Sequence, residues 1–203
     1  MMMVEKEKND KKLLSWSNIS TTLLLLFALA MVFSPQVKGK VIEGLMKVGL
    51  FQPDLPKDKE IKTPLVLENE VVFIDKTGKE VRLSSLRGKV VFINFWATWC
   101  PPCIAEMPSI HQMAKQFKEN DKLVVLTVDV DQDFPKSLKF MQKRNFDLPV
   151  YALASAVPSA YLGNSIPTTI VLSKQGKLVF KHEGGADYTN QEFIGFLNKL
   201  IRE

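Results

Sequence analysis

At 203 residues, 46% of them hydrophobic and 24% charged, the chain is long enough for one packed domain plus appendages. Its net charge of +5 comes from 27 basic and 22 acidic residues that interleave along the sequence. There is no basic block with aromatic interleaving, so nucleic acid is not an expected partner.

Residues 1–12 form a polar tail, with Lys6, Lys8, Lys11 and Lys12 set against Glu5, Glu7 and Asp10. No charge occurs in residues 13–37, whose densest part runs from Leu23 to Phe33. As one helix this span would measure roughly 37 Å, enough for a hydrocarbon core of ~30 Å, with Trp16 at headgroup level. A cleaved signal peptide is the competing reading, because the dense apolar part alone has the length of an h-region. Ser34-Pro35-Gln36-Val37 is a poor small-x-small cleavage site, and no cysteine stands there for a lipid anchor. The reading adopted is an uncleaved single-pass anchor in a bacterial inner (cytoplasmic) membrane. Lys11 and Lys12 place the tail in the cytoplasm, and the rest of the chain is exported to the periplasmic or extracytoplasmic side. Asn18-Ile19-Ser20 matches a glycosylation pattern but lies inside the apolar span and is set aside.

Residues 38–66 change character. Val41, Ile42, Leu45, Met46 and Leu50 recur at helical spacing, which predicts a short amphipathic helix at the membrane surface, packed on the globular part, or on another protein. Pro53, Pro56 and Pro64, with Lys57-Asp58-Lys59-Glu60 between them, predict an extended linker that lets the domain stand off the bilayer.

Residues 67–203 make up the expected globular domain. Two apolar stretches, 71–75 and 80–83, flank Lys76-Thr77-Gly78-Lys79 and predict a hairpin. A buried strand follows over 90–95, then a helix over 101–119 with Ile104, Met107, Ile110, Met113 and Phe117 at core spacing. Further strands are predicted over 122–130 and 149–153, with a helix over 137–145 between them. A short helix interrupted by Pro158 is predicted over 155–163. A second hairpin is predicted from 168–172 and 177–180, and an amphipathic helix over 191–202 closes the chain. Alternating strands and helices imply an α/β fold, a mixed sheet with helices on both faces.

Cys100 and Cys103 are the only cysteines, at the junction of a buried strand and a helix. A Cys-X-X-Cys there brings both sulfurs within bonding reach in the first helical turn and reads as a thiol–disulfide redox pair. Unpaired N–H groups and the helix dipole favour a thiolate on Cys100, the expected nucleophile, with Cys103 as resolving thiol. Pro101 and Pro102 fit a first turn, whose N–H groups have no helical partner to lose. A zinc half-site and an inert disulfide are the bland alternatives. Zinc needs further ligands, for which the chain offers only His111 and His182, and so short a loop gains little from closure. Neither metal nor any other cofactor is expected.

Gly88-Lys89-Val90-Val91, the run from Asn94 to Cys103, Glu106-Met107-Pro108 and Ile166-Pro167-Thr168 together resemble the TlpA/ResA-like membrane-anchored thiol–disulfide oxidoreductases of the thioredoxin superfamily. The resemblance implies a thioredoxin-like fold with an N-terminal β-hairpin and an αβ insertion. It implies that Pro167 is cis beside the cysteines, and that the backbone of Ile166 and Pro167 hydrogen-bonds an incoming peptide like an added strand. Pro108 matches a helix-kinking proline. Glu106, three residues after Cys103, becomes a catalytic carboxylate that exchanges a proton with it. A solvated helical glutamate is the alternative on spacing alone. Asn94 stands where cytosolic thioredoxins carry a buried aspartate, which leaves the proton to Glu106. Trp99, Pro101 and Pro102 would border the partner groove, and Trp96, His111 and His182 are given packing or solvent roles.

The expected activity is reduction of disulfides in exported proteins, apocytochrome c among them, with a membrane thiol carrier as electron donor. Two rivals from other classes are a dithiol that handles Cu(I) for oxidase assembly and a peroxidase of the peroxiredoxin type.

Overall fold

A computed structural model of the chain describes residues 16–55 and 70–203. The polar tail at 1–12 and most of the proline linker lie outside the described residues, as do the start of the apolar span and the domain start at 67.

Helix α1 is Trp16–Phe33 and helix α2 is Pro35–Lys47, and the two are bent by 99° at Ser34. The apolar span is thus not one helix to residue 37. Pro35 disfavours helical backbone at the residue before it, and Ser34 is extended at φ −108° and ψ 110°. Its hydroxyl accepts from the Val37 N–H at 3.4 Å, capping α2. Among the described residues, no single helix is long and apolar enough to cross a membrane, although α1 and α2 as a bent pair have the length and composition.

The remaining elements are strands β1 (Val72–Asp75) and β2 (Glu80–Arg82), a 3-10 turn (Leu83–Leu86), β3 (Val90–Trp96), α3 (Pro101–Gln116) and β4 (Leu123–Asp129). They continue with α4 (Phe134–Lys143), β5 (Val150–Leu153), β6 (Thr168–Leu172), β7 (Leu178–Glu183) and α5 (Gln191–Arg202). The strands form one seven-stranded mixed sheet in the order β2-β1-β5-β4-β3-β6-β7. Strands β3, β4 and β5 run parallel, while β1, β6 and their hairpin partners pair antiparallel. The β4–α4–β5 unit is a right place for the expected αβ insertion, since β5 wedges between β4 and the N-terminal hairpin.

Because side chains alternate across a strand, β3 feeds two cores. Val90, Phe92 and Trp96 join a cluster with buried residues of α3, α4 and α5. Val91, Ile93 and Phe95 face the other side with Phe73, Leu126, Ile170 and Tyr161. Among the described residues no α-helix packs on that second face, which departs from the expectation of helices on both sides. The segment 155–163 forms turns rather than a helix, and covers the sheet through Val157, Ala160, Tyr161 and Leu162 together with Leu83 and Leu86 of the 3-10 turn. The Pro158 carbonyl accepts from Tyr161 and Leu162 at 2.8 and 3.1 Å, a single turn that goes no further.

Helix α2 packs across α3, with Gly39 and Met46 buried at the contact. Residues after it continue along the same side, where Phe51 O accepts from Asp187 N at 3.0 Å and Gln52 bonds Asn190. The proline-rich segment therefore follows an element already docked on the fold, and does not separate the apolar helix from the domain.

Candidate active site

Strand β3 is buried along its whole length and delivers the chain to the loop before α3. Cys100 is the N-cap of α3, with φ −83° and ψ 110°, and its sulfur accepts from the Cys103 N–H at 3.3 Å. Pro101 and Pro102 occupy the first turn, where a missing N–H costs nothing. Cys100 and Cys103 are joined in a disulfide with Cα atoms 5.2 Å apart. Cys103 is fully buried and Cys100 is 3% exposed, so Cys100 is the member of the pair with any solvent exposure.

Opposite the disulfide, the Ile166–Pro167 peptide is cis, and the Ile166 carbonyl oxygen lies 3.8 Å from the Cys100 sulfur. Pro167 is buried and Ile166 half-buried, directly before β6. Trp99 is 56% exposed and its indole N–H donates to Asp131 Oδ2 at 2.6 Å, which ties the rim of the site to the loop after β4. Trp96, by contrast, is wholly inside, its ring tilted at 48° against Phe140 with centroids 5.2 Å apart.

Behind the disulfide lies a buried polar cluster. Glu106 has no exposure, accepting from Asn94 Nδ2 at 2.7 Å and from the Ala186 N–H at 3.3 Å. Asn94 also donates to Thr169 Oγ1 at 2.9 Å, its register partner across β3 and β6. Burial outweighs the two hydrogen bonds and pushes the Glu106 carboxyl up to about 8. Such a group exchanges a proton near neutral pH, the range in which general acid–base work is efficient. Tyr188 is buried beside it, and burial with the neighbouring Glu106 pushes its phenol well above the usual value. The Tyr188 hydroxyl faces Thr169, but no hydrogen bond between them meets normal geometry. Pro108 sits inside α3, and the adjacent Ser109 hydroxyl donates to Glu106 O at 2.7 Å and accepts from the Tyr188 N–H at 3.2 Å.

The Redoxin family model matches residues 57–193, a stretch that contains the disulfide, the cis-proline and the polar cluster. The chain belongs to the Redoxin family. It is 32% identical over 130 residues to the thiol-disulfide oxidoreductase ResA of Bacillus cereus, covering 64% of this chain and 73% of that one. Among solved structures it is similar to the pneumococcal exposed lipoprotein thioredoxin of Streptococcus pneumoniae, with TM-score 0.51 and 30% identity over 66% of this chain and all (100%) of that one. It also resembles a thiol:disulfide interchange protein of the thioredoxin family from Chlorobium tepidum, with TM-score 0.53 and 25% identity over 65% and 93% of the two chains. Cys100 and Cys103 are thus the Cys-X-X-Cys of a thiol–disulfide oxidoreductase with the TlpA/ResA-like arrangement of the thioredoxin superfamily.

Within this Redoxin-family site, the structure brings together Cys100, Cys103, Pro101, Pro102, Ile166 and Pro167, and sets Trp99 on the rim. Glu106 shares the buried side of α3 with Cys103, so the solvated-glutamate alternative is ruled out by its burial. His111 and His182 lie elsewhere, the first 5.3 Å from the Phe146 ring and the second stacked near Phe180. Sequence reasoning missed Thr169, Tyr188, Ala186 and Asp131. Thr169 follows the cis-proline by two residues, a local hint; the others are placed by strand register and loop packing alone.

Proposed function

We propose that the chain is an exported, membrane-tethered reductant of disulfides in exported proteins, apocytochrome c among them, recharged by a membrane thiol carrier. The observation that carries the redox reading is the disulfide at the N-terminus of α3 facing the cis Ile166–Pro167 peptide. In the reduced protein, the Cys100 thiolate attacks one sulfur of a substrate disulfide and expels the other as a thiolate, leaving a mixed disulfide. Cys103 then attacks Cys100, which releases the second substrate thiol and restores the Cys100–Cys103 bond. Two electrons have passed to the substrate; two must return from a donor dithiol. Glu106 takes the proton of Cys103 as it attacks and returns it on reduction. The Ile166 carbonyl, in the cis-proline turn just before β6, suits an extended substrate segment, with Trp99, Pro101 and Pro102 as its apolar rim. Support for the tether comes from the uncharged, largely exposed apolar surface of α1, which at about 27 Å is short of the hydrocarbon core by itself but continues an uncharged sequence that begins at Leu13.

The direction of transfer is tested by the reduction potential of the pair. A value around −270 mV or below fits a reductant, and one near −120 mV overturns that assignment in favour of an oxidase. The order of attack is tested by variants. Cys100→Ser should abolish exchange, and Cys103→Ser should accumulate mixed disulfides visible on a non-reducing gel. Wild-type turnover in both would refute the mechanism.

A further inference from the structure

Helix α2 has two apolar faces, and the domain covers only one. On the inner face, a Cβ at Gly39 would come within 2.7 Å of Ile104 Cγ2 and 3.2 Å of the Pro101 carbonyl oxygen. Met46 reaches the loop before Ala186, its Cε lying 2.7 Å from where a Gly185 Cβ would stand, with the Pro102 carbonyl at 3.1 Å from the same point. The inner face is therefore seated on the first turn of the active-site helix. On the outer face, Val41, Leu45 and Val48 are 37%, 40% and 72% exposed, and Leu50 beyond the helix is 66% exposed. At about 100° per residue these three side chains fall within roughly 60° of one another and point away from Gly39 and Met46. Exposed Lys40 and Lys47 border them, Lys47 paired with Glu43 at 2.9 Å.

The chemistry around this stripe selects one occupant. It continues directly from α1, where Leu23, Leu24, Leu25, Leu26, Phe27 and Leu29 are all more than half exposed. The 99° bend sets α2 across the axis of α1, the relation between a helix normal to a bilayer and one lying in its surface. Beside the start of α2, a groove of about 400 Å³ is lined by Gln36, Thr98, Lys136, Lys139, Lys143 and Arg144. Lys136 is paired with Asp133, and Arg144 donates to Gln36 and lies over the Phe140 ring, so the groove keeps a positive balance next to the bend. Basic side chains bordering an apolar, in-plane helix match anionic lipid headgroups.

We propose that α2 lies on an anionic bilayer by its Val41–Leu45–Val48 face while its Gly39–Met46 face holds the active-site helix, so that the cysteine pair works at the membrane surface. This rests on the reading of α1 as an anchor. A helix is about 10 Å across, which sets the distance between headgroups and the first turn of α3. The redox partner is then one that presents its sulfur at the bilayer surface.

The test uses the full chain in vesicles of phosphatidylcholine with phosphatidylglycerol, the Cys100–Cys103 pair kept oxidised. A nitroxide is placed by Val48→Cys on the outer face, by Leu25→Cys on α1, or by Glu80→Cys on the exposed β2 strand. Power saturation compares collisions with oxygen, which enters lipid, and with a nickel chelate, which stays in water. The oxygen-to-nickel ratio at Val48 should exceed that at Glu80 at least fivefold, and should fall to the Glu80 level when Leu45→Glu is added. It should also fall at least twofold without phosphatidylglycerol; no change would overturn the part given to anionic headgroups. A water-like ratio at Val48 with a lipid-like one at Leu25 overturns the proposal and leaves the anchor standing. Water-like ratios at both positions overturn the two together.

Discussion

Glu106 is held where a carboxylate is disfavoured, and the balance of forces there is open to measurement. Two hydrogen bonds, from Asn94 and the Ala186 N–H, favour the ionised form, yet desolvation dominates and the carboxyl titrates at about 8 against a usual 4.5. The sign of the consequence follows from proton binding. Between those values the folded chain holds a proton that the unfolded chain has lost, so stability falls as pH rises from about 4.5 to 8 and levels off above. At about 1.4 kcal/mol per unit, this group accounts for at most about 5 kcal/mol across that window. Glu106→Gln should flatten the decline in urea-unfolding free energy measured from pH 5 to 8.5, and should remove an inflection near pH 8 from the kcat/KM profile for disulfide exchange. Equal pH slopes in the two proteins would refute the assignment. The legibility of this cluster is uneven for a physical reason. Cys100, Cys103 and Glu106 are close in sequence, so spacing pairs the cysteines and the family resemblance singles out Glu106, whereas Thr169 and Ala186 reach Asn94 and Glu106 from 75 and 80 residues away. Strand register places Thr169 against Asn94 and the loop after β7 places Ala186 against Glu106, and no local sequence pattern encodes either.

At the scale of elements, the strands and the two long helices of the domain were readable from periodicity, because burial on one face or both leaves a clear pattern. Two places were not. Residues 155–163 carry the apolar side chains a helix would need, but their covering role is met by a single turn at Pro158. The other is α2, whose apolar spacing was visible but whose inner partner was not, because Gly39 contributes to packing by lacking a side chain. That absence can be probed with a built-in control. A Cβ at Gly39 meets the Ile104 side chain and the Pro101 carbonyl, whereas a Cβ at Gly44 on the same helix meets nothing within 4 Å. Gly39→Ala should cost about 1–3 kcal/mol through overpacking against a backbone that cannot easily retreat. Gly44→Ala should instead stabilise by about 0.5–1 kcal/mol through the better helix propensity of alanine. Thermal unfolding of the two variants reads the difference, and equal effects of one sign would show that α2 is not seated on α3 as described.

For the whole molecule, the unit defined by kinship and the unit defined by packing have different edges. The Redoxin match covers residues 57–193, yet Leu197, Leu200 and Ile201 of α5 are buried beyond its end, and Met46 of α2 is buried before its start. The disulfide belongs to both units, because α3 is covered on one side by the sheet and on the other by α2. Cutting at the family boundary would therefore uncover the side of α3 that carries Pro102 and Ile104, together with the loop at Gly185. Fully burying a methionine is worth about 1.5–3 kcal/mol, and the half-buried Val37 and Ile42 add to it. At about 2–4 °C per kcal/mol for a chain of this size, a protein starting at residue 34 should melt roughly 5–10 °C above one starting at residue 57. The measurement is far-UV circular dichroism on the oxidised forms, so that the disulfide is the same in both. Coincident melting curves would mean that α2 contributes nothing to the folded state; a gap of the expected size, abolished by adding Met46→Ala and Gly39→Ala to the longer chain, would place the contribution in the contact with α3.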